Sequence, residues 1–346
     1  VFWIKYYEEK SKISKNNLNN NYTLENRYYK IAIDRISGSI YSIYDKLFKK
    51  EILIESSLGN RTFLLNEEIY DNNLDFENID YCINPKYVNV LENNEIRKII
   101  QIEYEINNSV IQQQIILYED LPFIFFNYKV HTKEKYNYFG IKFDLNVNDS
   151  ISITGLPFYY KISKNDDLFK NGKNFLLLNN SKNGLLFINN NDFLYSIKEN
   201  SLYILHNTIN FDNSNEYSLV FSIVKRNDIE TSIKSSFELL SRPLTIVTDQ
   251  HKGKYSLKRS FVQTNNNIVI STMKQSEDSS GIVVRFFDIT GKKSDVKINN
   301  FTNSKYYFLV NSIENKISTK KQLSNKLLLR LNPNEIKSVL FEYNLK

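Results

Sequence analysis

Residues 24–54 carry the sequence pattern that most constrains how this chain can fold. Polar and apolar side chains alternate over residues 24–34 and again over residues 40–44, on either side of Ser37-Gly38. A period of two around a glycine-containing turn is typical of a β-hairpin with one buried face. We predict that Tyr29, Ile31 and Ile33 share one face of the first strand, and that Ile40, Ser42 and Tyr44 lie opposite to Tyr41 and Ile43 in the second.

Strand patterns continue over most of the sequence. Short apolar or alternating segments, separated by Asn-rich turn signals, follow one another from Tyr22 to about Arg242. So dense a block of strands predicts a large two-layered β-sandwich rather than several small domains. The pattern resets after Thr248, and the strands that follow predict a second, smaller β-sandwich. The predicted fold class is therefore all-β.

One helix is predicted in this otherwise β-rich chain, from Asp228 to Leu240. Its apolar residues recur at helical spacing, Asn227 or Asp228 can cap its start, and Pro243 follows its end. We divide the chain into three parts: residues 1–21 as a strand and linker left from a preceding module, residues 22–248 as the large β-sandwich, and residues 249–346 as the smaller one.

The charge and cysteine content exclude several classes of partner and fold. Lys and Arg number 45 against 39 Asp and Glu, giving a net charge of +6 at pH 7. The basic run at residues 316–326 contains no aromatic residue, so we expect no nucleic-acid partner. Cys82 is the only cysteine, which excludes an internal disulfide, and we expect a buried thiol there. No apolar run is long enough to span a membrane.

The start of the sequence also shapes our expectations. It begins at Val1, and Met273 is its only methionine, so we expect a fragment of a longer protein. No signal peptide is visible, and we therefore expect a cytoplasmic location.

Five segments, in order along the chain, resemble the C-terminal β-region of glycoside hydrolase family 38, the zinc-dependent α-mannosidases. The first contains LENRYYKIAID and SIYDK within residues 24–54. Residues 260–290 contain KQSEDSSG, which is similar to the family's K-x-x-E-D-x-x-G step. The other segments resemble the family's long strand pair, a glycine-containing strand and the closing strand. They span residues 108–147, 182–194 and 332–341.

The resemblance implies a fold and a function. It implies a galactose-mutarotase-like supersandwich of the α-mannosidase C-terminal type, followed by the smaller sandwich. In the family, the zinc ligands and the aspartate nucleophile of a retaining α-mannosidase lie on an N-terminal barrel. This chain would support that barrel in the hydrolysis of α-mannosides. The implied partners are the catalytic barrel and carbohydrate, and zinc is implied for the barrel alone.

The sequence departs from the family pattern at two places. Val130-His131-Thr132 stands where the family has a V-D-W step, so the acid and the tryptophan are missing. Residues 155–161, GLPFYYK, lack the arginine of the family's "pfG-x-x-x-R" element near the sugar. The contact that the family's element makes with the sugar therefore cannot be assigned to any residue of this sequence.

The residues themselves provide no catalytic centre. The three histidines, His131, His206 and His251, are isolated and have no metal-ligand spacing. No pair of carboxylates is placed as glycoside hydrolysis requires. We therefore predict no catalytic residue, no metal ligand and no cofactor in this chain. The residues that we expect nearest to a bound sugar are His251, in a polar loop, and the aromatic pair Tyr159 and Tyr160.

Two functions of different classes remain open. In the first, the chain is the non-catalytic C-terminal β-region of a family 38 α-mannosidase, and the face that meets the barrel should be a bare apolar surface. In the second, it is a free-standing carbohydrate-binding or scaffold β-sandwich that uses exposed aromatic residues to hold sugars. The coding sequence upstream of Val1 distinguishes them, since an H-x-D motif there supports the first.

Overall fold

A computed structural model gives the structure of the chain. It describes residues 21–66, 69, 79–133, 136–145, 151–164, 167–179, 182–208, 214–241, 246, 262, 264, 267–299 and 304–343. Within these residues the chain folds almost entirely into β-strands, with one α-helix. The prediction of an all-β protein, with a large sandwich followed by a smaller one, is confirmed. No helix in the described part of the chain combines the length and the apolar character needed to cross a membrane.

The first sheet is an antiparallel meander of four strands. They are Asn21–Glu25 (β1), Tyr29–Asp34 (β2), Ile40–Asp45 (β3) and Lys50–Glu51 (β4). The turn between β2 and β3 contains Gly38 at φ +70°, a conformation that favours glycine. The Asp34 carboxylate stabilises this turn by accepting hydrogen bonds from the backbone N–H groups of Ile36 and Ser37, both at 3.1 Å. The predicted hairpin is confirmed in position.

Two details of that hairpin prediction are wrong. The Asn26 side chain accepts hydrogen bonds from the backbone N–H groups of Tyr28 (2.9 Å) and Tyr29 (2.7 Å), and this turn divides the predicted single strand into β1 and β2. In β3 a bulge follows Ile40, because Ile40 pairs with Ile33 whereas Ser42 pairs with Ala32. As a result Ile40 and Ile43 are both buried, and Tyr41 and Tyr44 are both exposed.

The second and largest sheet has nine antiparallel strands. In spatial order they are Tyr159–Lys164 (β13), Ile151–Leu156 (β12), Phe175–Asn179 (β15), Asn183–Asn189 (β16), Ser214–Lys225 (β19), Ile124–His131 (β10), Ser109–Tyr118 (β9), Arg97–Ile106 (β8) and Tyr87–Asn93 (β7). The third sheet has six strands. They are Lys170–Gly172 (β14), Phe193–Lys198 (β17), Ser201–Asn207 (β18), Tyr138–Asp144 (β11), Arg61–Leu65 (β5) and Ile79–Tyr81 (β6).

These three sheets enclose the main hydrophobic core. Strand β9 shows the principle, because Ile111 and Ile115 are fully buried whereas the intervening Gln112 and Gln114 lie on the other face and are partly exposed. Buried side chains from all three sheets join in one cluster that is rich in aromatic rings. The rings of Phe126 and Phe143 meet edge to face, with centroids 5.9 Å apart. The sequence alternation thus fixes which face of each strand is inside.

The smaller sandwich follows with two sheets. Its five-stranded sheet consists of Ile268–Gln275 (β20), Gly281–Asp288 (β21), Ile336–Glu342 (β26), Tyr306–Val310 (β23) and Lys321–Gln322 (β24). Its two-stranded sheet consists of Ser294–Asn299 (β22) and Lys326–Leu331 (β25). A separate hydrophobic core fills this sandwich, including Val284, Phe286, Val296, Leu331 and Phe341.

The helix Ile229–Leu240 (α1) agrees with the predicted helix to within one residue. Asp228 caps its N-terminus, since its side chain accepts a hydrogen bond from the backbone N–H of Thr231 at 3.1 Å. Ile233 is buried, as predicted for the apolar stripe.

The chain forms two compact units. One covers Glu8–Leu156 and Tyr160–Ser232, and the other includes Pro157–Tyr159 and Ile233–Lys346. The predicted boundaries at residues 21 and 248 lie at or within segments outside the described residues, so the three-part division stays a prediction.

Candidate functional site

The residues that we expected nearest to a sugar are not brought together. Tyr159 and Tyr160 begin β13, the edge strand of the nine-stranded sheet. Tyr159 is 52% exposed and Tyr160 is half-buried. Consecutive residues of a strand point to opposite faces, so the two rings do not form one platform. His251 lies outside the described residues. The role of these three residues in sugar binding stays a prediction.

The motif around residues 24–54 has a structural role. Asp45 is buried and its carboxylate accepts a hydrogen bond from the backbone N–H of Phe48 at 2.6 Å, which holds the turn after β3. The Lys46 amine lies 2.7 Å from the Glu25 carboxylate and donates to the backbone carbonyl of Asn26. The YDK residues therefore join the end of β3 to the turn after β1, and they contribute no reactive group.

The K-x-x-E-D-x-x-G step has a similar role in the smaller sandwich. Asp278 accepts hydrogen bonds from the Ser276 hydroxyl (2.7 Å) and the Ser280 backbone N–H (3.0 Å). Hydrogen bonding from Ser280, and to a smaller extent from Ser276, lowers the pKa of Asp278 to about 2. Gly281 is required because a Cβ there would lie 2.1 Å from the backbone oxygen of Phe341. Both resemblance motifs thus specify turns and close strand packing.

The structure describes two of the three histidines, and each lies apart from other possible metal ligands. His206 is fully buried, with its ring stacked 4.9 Å from that of Tyr217, and burial lowers its pKa to about 4. His131 is half-buried at the end of β10. Across the described ranges, no three His, Cys, Asp or Glu side chains are grouped so that they could hold a metal ion. Cys82 is a buried thiol, as predicted, and burial raises its pKa to about 12.

One face of the six-stranded sheet gathers side chains of the kind that bind ligands. We call Arg61, Tyr81, Lys142, Asp144 and Tyr203 the tyrosine–lysine cluster. They come from the neighbouring strands β5, β6, β11 and β18, and the strand register aligns Arg61 with Lys142 and Lys142 with Tyr203. These side chains point away from the main core, on the face that carries a smaller buried cluster including Phe63 and Leu205.

Close contacts fix the geometry of the tyrosine–lysine cluster. The guanidinium carbon of Arg61 lies 4.1 Å from the centroid of the Tyr81 ring, a cation–π contact. The Lys142 amine lies 3.0 Å from the Asp144 carboxylate, and these two side chains are only 14% and 16% exposed. Ser201 donates a hydrogen bond to Asp144 at 2.6 Å. The charged groups of the cluster are therefore held in place before any ligand arrives.

A glycine leaves space for the aromatic ring, Phe63, that lies beneath the cluster. A Cβ at Gly140 would lie 2.1 Å from the Phe63 ring, so that ring lies directly over the glycine. The Phe63 ring is in turn 5.5 Å from that of Tyr81 and 6.4 Å from that of Tyr203, between centroids. The two tyrosines are thus packed against a rigid base.

The two phenols of the cluster stay protonated at neutral pH. Burial raises the pKa of Tyr81, and the neighbouring Tyr203 raises it further. Burial also raises the pKa of Tyr203, while the hydrogen bond from Tyr81 lowers it. Phenol, guanidinium and ammonium groups can donate to ligand oxygens. Asp144 is the one carboxylate of the cluster and it is ion-paired, so the arrangement favours binding over glycoside hydrolysis, which uses two carboxylates.

Sequence reasoning missed this cluster because its members are far apart along the chain. They lie on short strands that pair only in the folded sheet. Lys142 and Asp144 gave the one available signal, since two charged residues alternate there with the apolar residues of β11. That pattern is also typical of an ordinary solvent-facing strand.

Two family models match the chain, both from the same family. The glycosyl hydrolases family 38 C-terminal domain matches residues 24–160, and the glycosyl hydrolases family 38 C-terminal beta sandwich domain matches residues 267–339. The chain therefore carries the C-terminal β-region of glycoside hydrolase family 38. Comparison with curated protein sequences found no match.

Two solved structures of family 38 proteins show the same fold. An α-mannosidase from Enterococcus faecalis V583 superposes with a TM-score of 0.70 at 14% identity, over 92% of this chain and 42% of that chain. A glycosyl hydrolase family 38 protein from Enterococcus faecalis gives 0.69 at 14% identity, over 92% of this chain and 44% of that one. This chain thus spans less than half the length of these structures. A galactose mutarotase related enzyme from Lactobacillus acidophilus matches at a TM-score of 0.40 and 10% identity, over 60% of this chain and 98% of that chain.

Proposed function

We propose that this chain is the non-catalytic C-terminal β-region of a family 38 retaining α-mannosidase. One observation carries the proposal: both C-terminal domains of the family match here in sequence order, and the similar α-mannosidase is more than twice as long as the part that this chain covers. The remaining length of such an enzyme can supply the catalytic barrel. This chain would then support the barrel while the barrel hydrolyses α-mannosides.

Zinc would act on the barrel and not on this chain. The donor set needed to hold zinc is three or four His, Cys, Asp or Glu side chains. The described residues contain no such group, so they do not fit the metal. We derive no step of the reaction through zinc from these residues.

We further propose that the four-stranded sheet supplies a contact with the barrel. Its β3 strand and the turn that follows expose four large side chains: Tyr41 (40%), Tyr44 (38%), Leu47 (65%) and Phe48 (41%). Apolar side chains grouped on a surface are characteristic of protein interfaces. Asp45 and Lys46 fix the backbone between these side chains, so the patch is presented in one conformation.

Expression together with the preceding coding sequence tests the proposal. We expect the longer protein to hydrolyse an aryl α-mannoside, and a Leu47→Ser, Phe48→Ser variant to lose activity while keeping the circular dichroism of the parent. The matched control is Ile313→Ser, Ile317→Ser, which removes two exposed apolar side chains from the smaller sandwich. If the preceding sequence encodes no barrel, or if the longer protein is inactive on α-mannosides, the proposal is wrong.

A second function, carbohydrate binding without catalysis, is favoured by the tyrosine–lysine cluster. Two protonated phenols beside a guanidinium and an ammonium group match the oxygen-rich surface of a sugar. Titration calorimetry of the purified chain with methyl α-mannoside tests it. Tyr203→Phe should weaken binding, whereas Lys129→Gln, which changes an exposed lysine on the other large sheet, should not. Binding that is unchanged in Tyr203→Phe contradicts this function.

A further inference from the structure

The smaller sandwich contains a surface groove that the proposed function does not use. It lies between the start of β23, the end of β24 and the start of β25. Its volume is about 330 Å³. Pockets that hold small organic ligands begin at about this volume. The lining residues are Tyr307, Gln322, Leu323, Ser324, Lys326, Leu327 and Leu328.

The groove lies in a positively charged part of the unit. Residues 304–328 contain five lysines and one acidic residue, Glu314, whose carboxylate is 2.8 Å from the amine of Lys274. In the described part of the chain, neither Lys321 nor Lys326 has a carboxylate within ion-pair distance. Lys326 lines the groove, and Lys321 is the cross-strand partner of Tyr307, which also lines it. The charge at the groove is therefore positive and uncompensated.

Aromatic rings hold two further lysines of this basic segment, on the opposite face of β23 from Tyr307. The Lys320 amine is 4.3 Å from the centroid of the Tyr306 ring, and the Lys316 amine is 4.2 Å from that of Phe308. Cation–π contacts of this kind restrict a flexible lysine side chain. The sequence segment 316–326 contains no aromatic residue, and the fold supplies these rings from the neighbouring strand β23. Lys320 is also paired with Glu342, at 2.6 Å, so it adds order more than net charge.

The rest of the lining is suited to a sugar ring. Leu323 and Leu327 are buried and form an apolar base, while Tyr307 and the 70% exposed Leu328 can contact the C–H face of a pyranose. The Gln322 amide can bind sugar hydroxyls. The Ser324 hydroxyl donates to the backbone carbonyl of Lys326 at 2.9 Å and so shapes the turn that carries Lys326. We propose that this groove binds an anionic saccharide, with its phosphate or carboxylate held between Lys321 and Lys326. The proposal does not depend on the family 38 assignment.

Titration calorimetry with the full chain tests this proposal. The probes are glucose 6-phosphate, glucuronic acid, glucose and inorganic phosphate, each at low and at high salt. We expect glucose 6-phosphate or glucuronic acid to bind more tightly than glucose and inorganic phosphate, and to weaken as salt rises. Tight binding of only one of the two anionic sugars identifies the anionic group as phosphate or as carboxylate.

Matched variants locate the site. Lys326→Gln should weaken binding roughly tenfold, the effect of losing one charge-assisted hydrogen bond. Lys293→Gln is the control. Lys293 lies next to Ser294, which pairs with Leu331 at one end of the two-stranded sheet, whereas Lys326 pairs with Asn299 at the other end. Equal effects of the two substitutions, glucose binding as tightly as its phosphate, inorganic phosphate binding as tightly as the sugar phosphate, or tighter binding of a short single-stranded oligonucleotide would each overturn the proposal.

Discussion

The two sandwiches place their ionisable groups differently. The large sandwich encloses such groups between its sheets: His206, Tyr104, Tyr128 and Cys82 are all buried there, and burial shifts the pKa of each toward the neutral form. In the smaller sandwich Asp278 holds a turn as a charged carboxylate, as Asp34 does at the surface of the large one.

The buried carboxylate of the smaller sandwich, Asp288, differs from these buried groups because its charged form is favoured. Asp288 is buried, but it accepts hydrogen bonds from the side chains of Thr290 and Ser294, both at 2.7 Å. Burial raises its pKa and these hydrogen bonds lower it, with a net lowering. Hydrogen bonds thus favour the charged form of Asp288, whereas burial favours the neutral forms of His206 and Cys82 in the large sandwich.

The largest expected effect concerns the aromatic core of the large sandwich. Phe126→Ala removes a fully buried ring that packs on Phe143, and should lower the free energy of unfolding by roughly 3–5 kcal/mol. Phe125→Ala is the matched control, because Phe125 is the next residue of β10 and lies on the partly exposed face. Urea unfolding followed by circular dichroism measures both. Equal losses would show that the two faces of β10 do not differ in burial.

The second prediction concerns acidification of the large sandwich. The pKa of His206 is about 4 in the folded chain, below the ordinary value of 6.5. Between these pH values the unfolded state binds more protons, so the free energy of unfolding should fall as the pH falls from about 6.5 to about 4, by at most roughly 3 kcal/mol. His206→Gln should remove this part of the pH dependence, and His131→Gln should retain it. Urea midpoints across this range that are identical for the parent and His206→Gln would contradict the buried neutral imidazole.

The smallest expected effect concerns the turn of the smaller sandwich. The pKa of Asp278 is lowered to about 2, so its stabilising effect is present above the ordinary carboxyl pKa of 3.8 and is lost as the pH falls toward 2. Asp278→Ala should cost about 1 kcal/mol at neutral pH, because two hydrogen bonds at an exposed turn are lost. Asp278→Asn keeps an acceptor oxygen and should cost less. Thermal unfolding at pH 7 that ranks the two variants in the reverse order would exclude this capping role.

The sequence predicted the strands that alternate and also the apolar, fully buried strands β15 and β16, and it missed several others. Strands such as β9 and β10 and the helix α1 were found because their periodicity is regular. Strand β5, RTFLL, was missed because four of its five residues are buried, so no alternation marks it. Strand β13 was missed because it is a largely exposed edge strand. The local pattern therefore identifies strands with one buried face and clear apolar runs, and the remaining strands are defined by their neighbours.

The site was less predictable than the fold. Tyr159 and Tyr160 were chosen as adjacent aromatic residues, yet adjacency within a strand separates their side chains. The tyrosine–lysine cluster depends on the pairing of Arg61 with Lys142 and of Lys142 with Tyr203, which the residue order along the chain does not specify. The absence of catalytic motifs was visible in the sequence, because a retaining glycosidase needs two suitably placed carboxylates.

Turnover by the purified chain alone tests the central claim most directly. The measurement is hydrolysis of an aryl α-mannoside with added zinc, by this chain and by the longer protein that includes the preceding coding sequence, at equal molar concentration. We predict no hydrolysis above background by the chain alone and measurable hydrolysis by the longer protein. Hydrolysis by the chain alone, retained through purification to homogeneity, would contradict a non-catalytic β-region.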